Sequence, residues 1–202
     1  DFGFDANGDL DTAAIATFVG SGNNGYVSKW YDQSGNGNDA EKNTPGLQPQ
    51  IYNGSAVITE NGKPAVDFAN DQLDTTISLT SNQTIATVVT SHLVGIETLF
   101  SSAGGVAMGR SGSSAFYQSS TSGDADNFYG SYTTDNQELH FVFRDGTTSA
   151  NSFGRINQTE GALNINGTGD ISGTLKIGQL QFSGYSWDGF VQEMIFWDNQ
   201  SS

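Results

Sequence analysis

Residues 30–40 read WYDQSGNGNDA, an aromatic pair followed by a turn rich in glycine, asparagine and aspartate. Gly35 and Gly37 suit backbone conformations with positive φ, which other residues rarely adopt. Asp32 and Ser34 can bond to backbone amides within such a turn. The stretch therefore predicts a short strand over residues 26–31 that ends in a tight turn, and it predicts a structural role for that turn.

Strand patterns continue beyond the turn. The β-branched run over residues 84–90 is typical of a strand. In the next alternating segment, Leu139, Phe141 and Phe143 share one face. Residues 190–197 are apolar on both faces and predict a central strand. Shorter strands are predicted over residues 56–59, 65–68 and 175–180.

A single helix is predicted, over residues 12–19. Asp11 is suited to cap its N-terminus, Leu10 and Ile15 have the spacing of a hydrophobic staple, and Gly20 can end it. The sequence therefore predicts an all-β fold, an antiparallel two-sheet β-sandwich with one short N-terminal helix. We expect one domain over residues 1–202, because the length suits one sandwich and no linker is visible.

Composition limits the partners of the chain. The formal net charge is −15, from 22 acidic and 7 basic side chains. This charge repels phosphate and sulfate polymers, so nucleic acid and anionic membranes are poor partners. A neutral glycan, a cation or a basic protein surface remains compatible with it. No apolar run reaches transmembrane length, so membrane insertion is not expected.

The cellular location is predicted from composition as well. The chain has no cysteine and little lysine, and it is rich in Asn, Gly and Thr, which is typical of exported bacterial proteins. It opens at Asp1 without a methionine, so we expect a processed piece or a module of a longer protein. The predicted location is extracellular or at the cell surface, where other domains of a longer polypeptide are possible partners.

Four stretches in order resemble known concanavalin A-like sandwich domains. Residues 30–38 resemble the W-Y-D-Q-S-G-x-G-N turn of the arabinofuranosidase B catalytic-domain family and the related turn of laminin-G-like jelly rolls. GKPAVDF (62–68), FRDGTT (143–148) and GFVQEMIFW (189–197) resemble the strands and the hairpin that follow in those domains. The resemblance implies a concanavalin A-like jelly roll. It implies less about activity, because this fold hosts lectins, hydrolases, lyases and adhesion modules.

No catalytic residue is predicted. Glycosidases of this kind use two carboxylates across a cleft, and the sequence has no E-x-D-x-x-E or R-x-E-x-R strand. Residues 96–100 do not match the L-E-N-G-L-F-like nucleophile segment of the arabinofuranosidase family, and that family's cysteines are missing. Glu193 is expected in a buried strand as a hydrogen-bonded structural group. His92 and His140, each alone on a strand, are expected to be packing residues.

Aromatic side chains outside the strand patterns are the candidate ligand-binding residues. Sugar sites pair an aromatic ring with amide, carboxylate or guanidinium groups. The candidates lie in Ser-, Gly- and Asp-rich segments and are Tyr117, Tyr129, Tyr132, Tyr185 and Trp187. Trp30 and Trp197 lie inside motif strands and are expected in the core. On this interpretation, alanine at Trp187 or Tyr129 weakens binding and leaves the fold intact.

A structural calcium ion is predicted near the N-terminus. Ca²⁺ prefers six to eight oxygen ligands, and side-chain oxygens recur at alternate positions around Gly8, from Asp5, Asn7, Asp9 and Asp11. The pattern is not an EF-hand, and Asp11 is also the predicted helix cap. A solvated acidic loop is the alternative. A second acidic turn is the fallback site, formed by Asp67, Asn70, Asp71 and Asp74.

The resulting prediction is a non-catalytic, extracellular, lectin-like module that binds a neutral or weakly charged polysaccharide. Two alternatives stay open from the sequence. The first is a glycoside hydrolase related to arabinofuranosidase B. The second is a structural or adhesive module of a cell-surface adhesin or of a phage fibre or capsid decoration.

Overall fold

The computed structural model describes residues 1–80, 82–103, 105–119, 127–146, 148, 151–163, 174–179 and 184–198. These residues form one α-helix, α1 (Thr12–Val19), one 3₁₀-helix (Pro45–Leu47) and eighteen strands. The strands are β1 (Asn24–Tyr26), β2 (Lys29–Trp30), β3 (Ala40–Glu41), β4 (Gln50–Asn53), β5 (Thr59–Glu60), β6 (Lys63–Pro64), β7 (Val66–Ala69), β8 (Leu73–Thr75), β9 (Gln83–Ser91), β10 (Gly95–Ser102), β11 (Val106–Gly112), β12 (Ser114–Ser119), β13 (Asn127–Ser131), β14 (Gln137–Arg144), β15 (Phe153–Ile156), β16 (Thr159–Ala162), β17 (Leu175–Ile177) and β18 (Asp188–Asp198).

Two eight-stranded antiparallel sheets form the two layers of the fold. The first sheet, here called the front sheet, has the strand order β1-β4-β7-β18-β9-β14-β15-β16. The second, the back sheet, has the order β13-β12-β11-β10-β17-β8-β3-β2. Buried side chains from both sheets, such as Ile85, Val191, Leu99 and Met108, pack together in one apolar cluster. The predicted antiparallel β-sandwich is therefore confirmed.

The helix has the predicted bounds and the predicted caps. The Asp11 carboxylate accepts a hydrogen bond from the Ala14 amide at 2.9 Å, and Gly20 ends the helix with a φ of 77°. Ile15 is the buried residue of the helix. Its side chain packs against Tyr52 and Val57 in a small apolar cluster. Among the residues that the structure describes, no helix is long and apolar enough to cross a membrane.

The strand β18 lies in the middle of the front sheet, as its two-sided apolar pattern predicted. It pairs with β7 on one side and with β9 on the other. A β-bulge between Val191 and Glu193 shifts the register, so that Glu193 lies opposite Val88. Beyond the bulge, Met194 and Phe196 pack against the core. Trp197 therefore points outward, and the expectation that it lies in the core is wrong, because its side chain is 46% exposed.

Some predicted strand bounds are shifted in the structure. The first predicted strand is divided into β1 and β2, and the strand predicted over residues 56–59 is the two-residue β5, which forms a hairpin with β6. The strand predicted over residues 65–68 begins one residue later, as β7. The strand predicted over residues 175–180 ends at Ile177, and residue 180 lies outside the described residues.

The Gly- and Ser-rich region after Ala103 contains the strands β11, β12 and β13, where the sequence pattern indicated aromatic-containing loops. Small residues let these strands pack closely. A Cβ atom on Gly109, for example, would lie 2.0 Å from the carbonyl oxygen of Glu97 on the neighbouring strand. Tyr117 and Tyr129 are strand residues whose side chains point into the core.

Candidate functional site

Four of the five aromatic residues predicted to bind a ligand are buried. Tyr117, Tyr129, Tyr132 and Trp187 have 6% or less of their surface exposed, and all belong to the main core cluster. A ring that is enclosed by the core cannot stack on a sugar at the surface. The expectation that these four form an exposed platform is therefore wrong, and Tyr185, 45% exposed, is the one that remains accessible.

The buried tyrosines belong to a polar network inside the sandwich. The Tyr129 hydroxyl lies 2.9 Å from Nδ1 of His140, and Nε2 of the same imidazole lies 3.2 Å from the Glu138 carboxylate. The Tyr132 ring stacks on His140 with a centroid distance of 4.5 Å. Burial lowers the pKa of the His140 imidazole, and the hydrogen bond to Glu138 opposes this shift. His140 is thus a core residue, as expected.

A buried charged group adjoins this network. Arg110, 1% exposed, lies with its guanidinium 5.0 Å from the centre of the Tyr132 ring. Its Nε lies 3.9 Å from the Glu97 carboxylate, and both side chains hydrogen-bond to the Ser91 hydroxyl. Burial raises the pKa of the Glu97 carboxyl, and the Ser91 bond opposes this rise. The group is enclosed and offers no access for a substrate.

A cleft of about 190 Å³ opens at one end of the sandwich. We call it the Trp197 cleft. Three segments form its walls: the turn before β3, the connection from β8 to β9, and the end of β18. Its lining residues are Asn36, Asn38, Ile77, Ser78, Leu79, Thr80, Gln83, Phe196, Trp197 and Asp198. The cleft therefore combines an exposed indole with amide, hydroxyl and carboxylate groups.

The first wall of the Trp197 cleft is the turn at residues 32–39, whose geometry follows from its sequence. Asp32 accepts hydrogen bonds from the amides of Ser34 at 2.8 Å and Asn38 at 3.0 Å, and from the Ser34 hydroxyl at 2.8 Å. The Ser34 hydroxyl, and then the two amides, hold the pKa of the Asp32 carboxyl below its usual value. Gly35 and Gly37 have φ angles of 84° and 74°, as predicted. The turn is therefore closed by its own hydrogen bonds, and Asn36 and Asn38 line the cleft.

Gln83 is the most deeply buried polar side chain of the Trp197 cleft, only 1% exposed. Its Nε2 donates a hydrogen bond to the Tyr117 hydroxyl. Its Oε1 is buried and has no hydrogen-bond partner among the residues described. A buried acceptor of this kind is rare in native structures, because an unmade hydrogen bond costs about 1–3 kcal/mol. Because Oε1 is enclosed, Gln83 is a buried structural residue beside the cleft, and its acceptor is not offered to a ligand.

Two hydrogen bonds fix the rim of the cleft. The Thr80 hydroxyl donates to the Asp198 carboxylate at 2.6 Å and is also 2.8 Å from the Asn82 carbonyl oxygen. The bond to Asp198 joins the connection before β9 to the end of β18. The rim is thus anchored to a central strand of the front sheet.

The positions of Glu193 and His92 can also be compared with the predictions from sequence. Glu193 is exposed on the outer face of the front sheet, where it borders a groove of about 60 Å³ with Leu139 and Ile195. The expectation that Glu193 is buried is wrong, because the bulge in β18 turns it outward. His92 packs edge-on against Phe190, with a centroid distance of 4.6 Å, as expected of a packing residue. Its Nδ1 also lies 2.9 Å from the Asp135 carboxylate.

The loop predicted to bind calcium is held by hydrogen bonds within the protein. The Asp5 carboxylate accepts from the amides of Asn7 at 2.8 Å and Asp9 at 3.0 Å. These bonds, that of Asn7 first, hold the pKa of Asp5 below its usual value. Asp9 pairs with Lys63 at 3.3 Å, and Asp11 caps the helix. A metal ion would have to share or replace these bonds.

The side chains of the fallback acidic turn bind different partners and do not converge on one point. Asp74 pairs with Lys42 at 2.8 Å, and Asp71 accepts from the Ala69 amide at 2.9 Å. Asn70 accepts from the Ser186 hydroxyl, and burial raises the pKa of the Asp67 carboxyl. Across the part of the chain that the structure describes, no three or more His, Cys, Asp or Glu side chains are grouped so that they could hold a metal ion.

Sequence reasoning missed the Trp197 cleft because its parts are distant along the chain. Asn36 and Trp197 both lie in stretches whose sequence pattern indicates fold motifs and not a binding site. Their contact depends on the register of β18 and on the placement of the turn beside it. The bulge at Gln192, which places Trp197 on the outer face, is visible only in the pairing of β18 with β9.

Comparisons with known proteins identify the fold and not the family. No family model matches the chain, and no curated protein matches it significantly. Among solved structures, a GH54 α-L-arabinofuranosidase soaked with a cyclic sulfate inhibitor is similar over 99% of this chain and 53% of its own, with 15% identity and a TM-score of 0.63. An arabinofuranosidase complexed with arabinofuranosyl-α-1,2-xylobiose is similar over 99% and 52%, with 15% identity and a TM-score of 0.59.

A pentraxin structure is similar as well. A native heptameric SAP-like pentraxin from Limulus polyphemus shares 16% identity, covers 71% of this chain and 74% of its own, and has a TM-score of 0.53. The chain spans about half the length of the arabinofuranosidases that it matches. At these identities the likeness concerns the fold, and the described chain is a concanavalin A-like β-sandwich.

Proposed function

We propose that this chain is a non-catalytic, extracellular carbohydrate-binding module that binds a neutral glycan in the Trp197 cleft. The observation that carries the proposal is the exposed indole of Trp197 in a cleft that is also lined by amide, hydroxyl and carboxylate side chains. Sugars have apolar ring faces bordered by hydroxyl groups, so they suit a site that combines an aromatic ring with hydrogen-bonding groups.

Charge supports a neutral ligand. The chain carries a formal net charge of −15, and Asp198 places a carboxylate at the rim of the cleft. A sulfated or uronate-rich polymer would be repelled by this field. A neutral hydroxyl-bearing ligand meets no such penalty, and it can donate hydrogen bonds to the carboxylate and amide oxygens.

Binding without cleavage is supported by the groups that line the cleft. Glycosidases place two carboxyl groups on either side of the scissile bond. Asp198 is the sole carboxylate among the described residues that border the Trp197 cleft.

A glycoside hydrolase is the second candidate, favoured by the structural similarity of 99% of this chain to arabinofuranosidases. Release of reducing ends from arabinan, xylan or an algal glucan by the pure protein would favour the hydrolase.

Trp197→Ala is the variant that tests the site. We expect it to weaken glycan binding about tenfold or more, since exposed aromatic anchors contribute most of the energy of small binding sites. The fold should be unaffected, because the side chain is 46% exposed. The measurement is titration calorimetry against arabinan, xylan and an algal glucan, for which we expect dissociation constants from about micromolar to millimolar.

Two exposed tyrosines complete this experiment. Tyr26→Ala is the matched control, because Tyr26 is an equally accessible aromatic on the edge strand β1, at 52% exposure. Tyr185→Ala tests the accessible member of the sequence-predicted group. Loss of binding in Tyr185→Ala with full binding in Trp197→Ala would move the site away from the Trp197 cleft.

A structural calcium ion at Asp5, Asn7, Asp9 and Asp11 is part of the proposal, supported by the oxygen-rich loop around Gly8. An excess of calcium about a hundredfold above Kd should stabilise the fold by about 2.7 kcal/mol. For a domain of this size the melting temperature should rise by about 5–10 °C.

The calcium measurement is a thermal melt of chelator-stripped protein with and without millimolar Ca²⁺. Mg²⁺ at the same concentration is the control for ionic strength. An unchanged midpoint, together with no calcium by elemental analysis of untreated protein, would remove calcium from the proposal.

A further inference from the structure

We infer that the outer face of the front sheet is a docking surface for a basic, amphipathic protein segment. The apolar side chains of the segment cover this face. The aliphatic stem of one lysine or arginine lies in the small groove beside Glu193, and its cation pairs with the Glu193 carboxylate. The inference goes beyond the proposed function, because it concerns another groove and another class of partner.

The outer face of the front sheet is apolar across four neighbouring strands, β18, β9, β14 and β15. The side chains that form this apolar face are Val88, Leu139, Phe141, Phe143, Phe153 and Ile195. Leu139 is 46% exposed, and the others are half-buried. Contiguous apolar side chains at the surface mark sites of interaction with other molecules.

The groove beside Glu193, here called the Glu193 groove, is small and mostly apolar. It measures about 60 Å³, and its lining residues are Ala86, Thr87, Val88, Leu139, Glu193 and Ile195. Thr87 is 1% exposed, so the groove offers apolar side chains and one carboxylate. A water molecule in the liquid occupies about 30 Å³. The groove can therefore hold part of one side chain but is too small to enclose a sugar ring.

The Glu193 carboxylate is the free charge of this face. It makes no hydrogen bond or ion pair with any residue that the structure describes. Arg155, further along the same face, is already paired with Glu160 at 2.7 Å. Lysine and arginine combine an apolar stem with a cationic head, which is the complement of an apolar groove that ends at a carboxylate. The net charge of −15 attracts a basic partner as well.

A second copy of this chain is a poor match for the face. Six of its seven basic side chains are buried or already paired with carboxylates, namely Lys29, Lys42, Lys63, Arg110, Arg144 and Arg155. The seventh, Lys176, is half-buried in the middle of the back sheet. Two copies with a net charge of −15 also repel each other. The charges therefore favour a different, basic protein.

The aromatic rings of the face favour a protein over a glycan. The rings of Phe141 and Phe143 stack on that of Phe153, with centroid distances of 6.0 and 5.5 Å. The Arg155 guanidinium lies 4.9 Å from the centre of the Phe153 ring. These contacts turn the ring faces toward one another, whereas a sugar stacks on an open ring face. Apolar side chains of a protein can pack against ring edges.

Two designed peptides test the docking surface by titration calorimetry. The probe is an amphipathic leucine–lysine peptide of about 14 residues, which is about four helical turns. The control peptide has serine in place of leucine and the same lysines. We expect the probe to bind at least about tenfold more tightly than the control peptide, at about 0.15 M and at about 0.5 M salt, because salt screens charges but does not weaken apolar burial.

Two surface variants with matched controls locate the binding site. Glu193→Gln should weaken binding of the probe about three- to fivefold, the effect of one exposed ion pair. Glu41→Gln removes an equal charge from the back sheet and should change it by less than about twofold. Leu139→Ala should weaken binding about fivefold or more. Leu93→Ala, at a leucine of similar exposure (51%), should have no effect.

Three results would overturn the inference. The first is failure of the leucine–lysine peptide to bind to the parent protein. The second is equal binding of the two peptides, or equal effects of each variant and its control, because net charge alone would then attract the probe. The third is weaker binding of arabinan, xylan or an algal glucan to Leu139→Ala, which would assign the face to a glycan.

Discussion

Replacing Arg110 with methionine is expected to lower the free energy of unfolding by about 3–5 kcal/mol. The guanidinium is 1% exposed and lies 3.9 Å from the Glu97 carboxylate, which is itself buried. Its Nε and Nη2 donate to the Gly112 carbonyl oxygen at 2.9 and 2.8 Å. Without Arg110, Glu97 would keep the Ser91 hydroxyl and the Asp188 amide as partners but would lack a neutralising cation.

The loss caused by Arg110→Met should depend on pH. Burial raises the pKa of Glu97 above its ordinary 4.5, and loss of the Arg110 charge removes an interaction that opposes this rise. A carboxyl whose pKa is raised by folding contributes stability below its unfolded pKa and loses that contribution as pH rises through the folded pKa. The deficit of Arg110→Met relative to the parent should therefore be smaller near pH 4 than near pH 8.

A double variant is the control for this prediction. Arg110→Met combined with Glu97→Gln leaves no buried charge, so it should be more stable than Arg110→Met alone by about 1 kcal/mol or more near pH 8. The measurement is urea denaturation of the parent, the two single variants and the double variant at both pH values. Equal deficits for Arg110→Met at pH 4 and pH 8 would contradict the role given to the Glu97 charge.

The sequence predicted the architecture well because the fold depends on local patterns. The turn at residues 30–40 specifies its own hydrogen bonds through Asp32 and its positive φ angles through Gly35 and Gly37. The helix at Thr12–Val19 has its cap at Asp11. These features are set by residues within a few positions of one another, so no tertiary information is needed to find them.

The same patterns do not show which face of a strand points into the core. In β14, Leu139, Phe141 and Phe143 share a face as predicted, but this face points outward. The inward face carries Glu138 and His140, which hydrogen-bond to each other within the buried network. Hydropathy alone predicts the opposite orientation, with the apolar face buried. The buried polar groups are tolerated because their hydrogen-bond partners lie on other strands, which the pattern of β14 does not show.

The candidate site was mislocated for a related reason. Tyrosines among Gly and Ser residues look exposed, but small residues on the facing sheet make room for large rings in the core. Gly154 shows this directly, since a Cβ atom there would lie 2.3 Å from the Tyr129 ring. Conversely, Trp197 lies in an apolar motif strand, yet the bulge in β18 leaves it at the surface. Burial depends on the pairing of strands, which composition does not specify.

Trp187→Ala is expected to destabilise the fold by about 3–5 kcal/mol, the usual cost of removing a large buried side chain. This replaces the expectation from sequence that the variant weakens binding with the fold intact. Trp187 is 0% exposed and packs in the main core cluster, with its ring centre 6.0 Å from that of Tyr132. Its removal would leave a cavity beside the network that contains His140, and urea denaturation would measure the loss.

Trp187→Phe is the matched variant that separates packing from hydrogen bonding. The indole N–H of Trp187 is buried and has no hydrogen-bond partner among the described residues, so phenylalanine removes a donor that gains nothing in the fold. Trp187→Phe should therefore lose clearly less stability than Trp187→Ala, because much of the ring volume is kept. Glycan binding by folded Trp187→Phe should match that of the parent, since Trp187 does not line the Trp197 cleft. Unchanged unfolding of Trp187→Ala with reduced glycan binding would instead place Trp187 in the binding site.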